Sequence, residues 1–371
     1  MDKGNDKTYF PELDALRFFA FLLVFIHHTP VIIQHPFWLG LHEYGWMGVD
    51  LFLCLSAFLF TKLLYTEYQR TGTINIPYFY IRRTLRIWPL YFLFVIAMMY
   101  VGLFNKYNLG AESLYWRAAG MFTFTDNIFA AFTAKYNPFP YALHLWTIAY
   151  EEQFYAIIPW ALRYLFKKTW RVKLLILTAV LALGFVLRAV VIGLHVPHPA
   201  IWVLPITHFE PILFGLLIGL GLFDSILNKI PWVLVGLMGI GTLAAVGGLP
   251  NVDVITWSLM LTYLLTGLGS ALLLHTILRA GRSPSLRLLF NKPLAFLGKI
   301  SYGLYVYHLL AKGIAAKILN PPPTNYWLWV FAVFVLPLLL TIIMSAISYL
   351  LLEKPFLHMK DRFAIVSSRP A

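Results

Sequence analysis

From residue 16 to residue 352 the chain alternates long apolar stretches with short polar connections, and this recurrence restricts the fold more than any motif in it. A helical stretch of about twenty residues spans roughly the 30 Å of bilayer hydrocarbon. Lipid offers no hydrogen bonds, so a crossing segment must bond its own backbone and therefore be a helix or part of a closed barrel. The predicted spans are 14–33, 46–65, 87–104, 144–166, 173–193, 206–223, 231–249, 255–278, 294–318 and 327–352. The expected fold class is all-α: a polytopic integral membrane protein of about ten transmembrane helices. It forms one domain over 1–371, with a core at 13–356 and a polar C-terminal tail at 357–371.

Composition agrees. Sixty percent of the residues are hydrophobic and 12% charged, against about a quarter charged in soluble domains. The net charge of +13 is spread over alternate loops without a compact aromatic-basic surface, which argues against a nucleic-acid partner and for membrane lipids. One set of connections carries Lys62, Arg70, Arg82, Arg83, Arg86, Lys167, Lys168, Arg171, Lys173, Lys229, Arg279, Arg282, Arg287, Lys292, Lys354, Lys360 and Arg362, and the other little more than Lys106, Arg117, Lys135 and Lys317. The positive-inside rule then puts the first set and both termini in the cytoplasm, giving a multi-pass protein of the cytoplasmic (inner) membrane. Residues 105–143 form the one long outer connection, whose aromatic stretch 116–132 reads as a short interfacial or re-entrant helix. The polar segment before the first span lacks a cleavage site, so that span is retained as a helix of the mature protein. Cys54 is the single cysteine, excluding an intramolecular disulfide and a cysteine metal cluster. No phosphate-binding loop, dinucleotide fingerprint, zinc helix or nucleophile elbow is present; no metal and no permanently bound cofactor is expected.

Ionisable residues inside spans are costly and usually functional. Arg17 and His28 stand eleven residues apart on one face of the first span, about 16 Å along its axis. Asp50 enters the second span within Gly48-Val49-Asp50-Leu51-Phe52, and Glu151 the fourth within Trp146-Thr147-Ile148-Ala149-Tyr150-Glu151-Glu152-Gln153-Phe154-Tyr155. His308 shares a face of the ninth with Ser301 and Tyr305. His28, Asp50, Glu151 and His308 are expected at similar depth in the outer half. A packed histidine at His28, and helix-pairing roles for Asp50 and Glu151, are the plain alternatives. Arg82, Arg83 and Arg86 open the third span; such a cluster suits phosphate, although topology and lipid headgroups produce it too. Arg188 with Glu210 reads as a structural ion pair, and Glu353 as a cap or pair on the inner face.

Taken together these elements resemble the acyltransferase-3 family of membrane-bound acyltransferases, over Leu13 to Phe356. The resemblance rests on Leu13-Asp14-Ala15-Leu16-Arg17 with His28, Gly48 to Phe52 with Ser56, Arg82-Arg83 with Arg86-Ile87 and Pro89, Trp146 to Tyr155, Ser301-Tyr302-Gly303-Leu304-Tyr305 with His308, and Glu353-Lys354-Pro355-Phe356. Ala57 and Ala15 stand where the family usually has glycine. The resemblance implies an O-acyltransferase moving an acyl group, acetyl by expectation, from cytoplasmic acyl-CoA to a hydroxyl of a carbohydrate or lipid-linked glycan acceptor. It selects His28 over His27 as the catalytic base and assigns acyl-CoA to Arg83 and Arg86, with Arg82 beside them and Arg17 nearby. Asp50 or Glu151 is expected to orient His28, with Ser56, Trp146, Tyr155, Ser301, Tyr302, Tyr305 and His308 in support. The rival reading is a proton-coupled transporter using the same His, Asp and Glu set.

Overall fold

Each predicted span carries a helix in the computed structural model, which describes residues 10–104, 111–280, 291–320, 322 and 324–366, with no strand among them. The helices are α1 (Pro11–His27), α2 (Pro36–Tyr44), α3 (Met47–Thr71), α4 (Ile76–Phe104), α5 (Ala111–Phe122), α6 (Asp126–Thr133), α7 (Trp146–Leu165), α8 (Trp170–Gly193), α9 (Ala200–Val203), α10 (Glu210–Gly219), α11 (Asp224–Leu227), α12 (Trp232–Val246), α13 (Leu259–Ala280), α14 (Lys292–Lys299) and α15 (Ser301–Ile318). A last helix runs from Tyr326 to Asp361, with π-helical turns at Phe331–Val335 and Tyr349–Glu353. Among the described residues five helices are long and apolar enough to cross a bilayer: Met47–Thr71, Ile76–Leu103, Trp170–Gly193, Leu259–Ala280 and Tyr326–Asp361.

Several boundaries differ from expectation for local reasons. α1 stops at His27 because Pro30 disfavours helical backbone at Thr29, and the chain then forms α2 instead of continuing to residue 33. α4 begins at Ile76, so Arg82, Arg83 and Arg86 lie inside the helix, not ahead of it. The stretch 206–223 holds only the ten-residue α10, and 294–318 is broken at Ile300 into α14 and α15. The 105–143 connection contains two short helices, α5 and α6. The last helix runs beyond 352, so the first part of the expected polar tail is helical. Lys106, Arg282 and Arg287 of the charge pattern, and residues 1–9 and 367–371, lie outside the described residues.

The outward faces are apolar. Leu339, Ile343, Ile347 and Leu351 make an exposed stripe at four-residue spacing on the last helix, and Leu183, Val186 and Val190 make one at three- and four-residue spacing on α8, a surface suited to lipid and not to water. Inside, α1 is braced on two sides by glycine. A Cβ at Gly48 would lie 2.3 Å from the Ala20 carbonyl oxygen, and one at Gly298 would lie 1.6 Å from that of Asp14. Small residues permit such backbone approach, which is a main source of packing energy between helices in lipid. α1 is thereby fixed against α3 and α14, while α15 and α3 flank α7 and α1.

Candidate active site

The centre of the site follows from how α1 ends. The last carbonyls of a helix are short of partners within it, and here side chains add to the backbone bonds that His28 N and Thr29 N make to Val24 O and Ile26 O. His28 Nδ1 donates to the Val24 carbonyl at 2.9 Å. Thr29 Oγ1 donates to Phe25 O at 2.7 Å, and His42 Nδ1 lies 3.3 Å from Ile26 O. The bond to Val24 places the His28 proton on Nδ1, leaving Nε2 with a lone pair and no hydrogen bond among the described residues. The neighbouring His27 turns away and bonds the His42 carbonyl at 2.8 Å.

The imidazole that meets His28 is His308. Its Nε2 lies 3.4 Å from His28 Nδ1, and its own Nδ1 donates to Tyr305 O at 2.6 Å. A third imidazole, His144, is buried and packs on His308 with ring centres 4.7 Å apart. Tyr305 joins this group to α7: its hydroxyl donates to the His144 carbonyl at 3.1 Å and accepts from Thr147 Oγ1 at 2.8 Å.

One turn along α7 from Thr147 stands Glu151. Ser56 Oγ donates to its Oε1 at 3.3 Å; Tyr155 is beside it, and Arg86 and Arg83 are the nearest charges. Phe52, one turn before Ser56 on α3, meets the Tyr305 ring edge-on at 6.3 Å. Arg83 is buried, with its guanidinium 4.5 Å from the Phe60 ring centre and its Nε without a hydrogen bond. Glu353 is turned inward at the second π-helical turn, with Oε1 unbonded and Arg86 within electrostatic reach. Lys360, also buried on the last helix, is close to Arg83 and Arg86. A line of side chains thus runs from Arg83 and Arg86, within electrostatic reach of Glu151, through Ser56, Phe52, Tyr305 and Thr147 to His308 and His28. Arg86, Glu151, Ser56, Tyr305 and His28 each keep part of their surface accessible although they sit within the bundle.

Other expected residues fall elsewhere. Neither acid is the hydrogen-bonding partner of His28. Asp50 is fully buried with Oδ1 3.0 Å from His208 Nε2, inside an aromatic box where His208 stacks on Trp202 at 4.6 Å and Trp146 packs on the same Trp202 at 5.4 Å. Arg82 is committed to Glu67 Oε2 at 3.2 Å and to the Phe363 carbonyl at 2.7 Å. Arg17 pairs with Asp14 at 2.8 Å. Tyr302 donates to Ile87 O at 2.9 Å, tying α15 to the arginine-bearing turn of α4, and Ser301 is buried at the start of α15. Arg188 and Glu210 form a direct ion pair with no exposed surface, reinforced by Arg188 Nε on Thr207 O at 2.7 Å. His144, His208 and Lys312 were absent from the sequence-based set. Lys312 carried a readable signal, since it is a charge within a predicted span one turn past His308.

Comparison with known proteins identifies the family. The family model for the acyltransferase-3 type, described as an acyltransferase domain, matches residues 10–346. The chain is 26% identical over 368 residues to O-acetyltransferase OatA of Staphylococcus aureus strain NCTC 8325 / PS 47, covering 96% of this chain and 58% of that protein. The OatA of strain MRSA252 matches to the same extent. The protein SACOL0978 of S. aureus strain COL is 26% identical over 395 residues, covering 100% of this chain and 60% of its own length. The chain therefore spans less than two thirds of these relatives. No solved structure matches it significantly.

Proposed function

The chain belongs to the acyltransferase-3 family, and on that premise we propose that it transfers an acyl group, acetyl in the first instance, from acyl-CoA to a hydroxyl of an envelope carbohydrate or lipid-linked glycan. The observation that carries this reading is the line of side chains, several of them partly accessible, between Arg83–Arg86 and His28, whose Nε2 makes no hydrogen bond among the described residues. We read the ten apolar helical segments as crossings of the cytoplasmic membrane, with both termini and the arginine end in the cytoplasm. The excess of Lys and Arg in one set of connections supports that orientation.

In this proposal Arg83 and Arg86 hold the phosphates of CoA, since guanidinium binds phosphate through paired, permanently charged contacts. Glu151, with Ser56 and Tyr155, holds those guanidinium groups in place and is not the partner of His28. The thioester arm lies along the line toward α15. His28 Nε2 takes the proton of the acceptor hydroxyl as its oxygen attacks the thioester carbonyl. The C–S bond then breaks, and the CoA thiolate leaves with the proton held by His28. His308 and the Val24 carbonyl hold the ring with Nε2 presented. The glycan approaches from the end of α1 opposite the arginines, under the α5–α6 connection.

The test is purified protein in detergent or nanodiscs, incubated with radiolabelled acetyl-CoA and a panel of glycans. Label transferred to a glycan by wild type and lost in His28→Ala supports the reading. Proton-linked solute flux without any acyl transfer would replace it with the transporter.

A further inference from the structure

Lys312 lies one turn beyond His308 on α15, and no step above uses it. Its Nζ donates to Phe25 O at 2.9 Å and to Thr29 Oγ1 at 2.8 Å, and sits 4.3 Å from the Phe25 ring centre. His27, His28 and His308 are within its electrostatic reach. Among the described residues no carboxylate pairs with it. An isolated cation at this depth is costly, and a plain capping role does not require one. Phe25 O already receives Thr29 Oγ1 at 2.7 Å, so the end of α1 is bonded without the lysine. An ammonium has three N–H donors, and the two bonds leave one uncommitted, within electrostatic reach of His28, whose Nε2 makes no hydrogen bond among the described residues.

We propose that Lys312 is a further catalytic residue, whose remaining N–H and charge stabilise the oxyanion of the tetrahedral intermediate formed at His28. The inference rests on the acyl-transfer reading. When the acceptor oxygen bonds to the thioester carbon, the carbonyl electron pair moves to its oxygen and the hydroxyl proton moves to His28. Lys312 donates a charge-assisted hydrogen bond to that oxygen. As the carbonyl re-forms, the C–S bond breaks and thiolate departs with the proton from His28. Lys312 neither gains nor loses a proton.

The experiment compares wild type, Lys312→Met and Lys312→Arg by initial rates of label transfer from acetyl-CoA, with thermal melting in detergent as the folding control. Lys312→Met is expected to lower kcat about 100-fold or more while KM for acetyl-CoA stays within about twofold, and propylammonium is expected to restore part of the rate in Lys312→Ala. A purely structural lysine would give no such rescue. An unchanged kcat in folded Lys312→Met, or a loss confined to KM for the acceptor, overturns the assignment; the latter would make Lys312 an anchor for an anionic acceptor group. If Lys312→Met does not fold, Lys312→Arg decides, because it keeps the charge but displaces the donor. A fall in kcat of about tenfold then supports the role, and a wild-type rate overturns it. Absence of acyl transfer by wild type defeats the underlying reading and this inference together, whereas transfer by wild type with no effect in either variant defeats the inference alone.

Discussion

Replacing His28 by asparagine separates what the side chain does for catalysis from what it does for the fold. The amide nitrogen of asparagine occupies nearly the position of imidazole Nδ1, so the bond to the Val24 carbonyl, 2.9 Å in the native chain, is retained and the end of α1 stays capped. Nothing occupies the position of Nε2. Loss of a positioned general base costs about 10²–10⁴ in rate, which is about 3–5 kcal/mol in the barrier at 1.36 kcal/mol per decade. His308 is the one imidazole placed to substitute, but its Nε2 faces His28 Nδ1 and not the acceptor, so little rescue is expected. His28→Ala should lose the same activity and, in addition, about 0.5–1.5 kcal/mol of stability from the missing bond. His27→Ala should lose a comparable bond, to the His42 carbonyl, while keeping kcat within about threefold. The assay is label transfer from acetyl-CoA at saturating acceptor, with melting temperature measured on the same preparations. An active His28→Asn, with kcat within about threefold of wild type, would refute the assignment of Nε2 as base and the tautomer argument behind it.

Arg86→Ala should raise KM for acetyl-CoA about tenfold with little change in kcat, and Arg86→Lys should recover only part of it because a point charge does not reproduce bidentate contacts; unchanged initial-rate KM would remove Arg86 from the donor site. Arg82→Ala should act on stability, because it strands Glu67, 1% exposed, and breaking a buried pair costs about 3–5 kcal/mol; a variant that melts like wild type but binds acetyl-CoA poorly would reverse the division between Arg82 and its neighbours. Arg188→Met should lose a similar amount, and the double variant Arg188→Met, Glu210→Leu should regain most of it, since two apolar side chains leave no unpaired charge; equal melting temperatures for the single and double variants would argue against a closed structural pair.

The sequence made the helical class legible because apolar runs of bilayer length admit few other folds, and it located α7, α8 and α12 to within a few residues. It misplaced ends that depend on local chemistry or tertiary contact: Pro30 stops α1 early, and the polar first turns of α4 fall below any hydropathy threshold although Arg82 is held inside by Glu67 and Phe363. His28, Ser56, Glu151, Tyr305, His308 and the arginines were readable as a set, since each is a polar group in an apolar run or at its edge. Their partners were not readable. That Asp50 faces His208 instead of His28 depends on which side of α3 packs against α10, and two carboxylates at similar depth on different helices look alike until rotation about each axis is fixed. His144 escaped notice because it stands at the edge of its span, where histidine is cheap.

Burial alone does not separate structural from chemical charges in this molecule, but the closure of their partnerships does. Arg188 with Glu210, Arg82 with Glu67, Arg117 with Asp126 at 2.9 Å and Asp50 with His208 are each matched to an opposite or proton-sharing group and almost entirely enclosed. Such pairs hold helices in register, and removing one partner strands a buried charge. Arg83 with its unbonded Nε, Glu353 with a free carboxylate oxygen and His28 with an open Nε2 have no opposite charge in direct contact among the described residues. These three lie where α1, α4, α15 and the last helix meet, whereas the unbonded groups on α13, Tyr263 Oη and His275 Nε2, are not permanent charges. Unmatched polar groups cost stability, and a polar ligand that completed the first three would offset that cost. On the proposed reading, an anionic nucleotide thioester at one end and a sugar hydroxyl at the other would supply those partners.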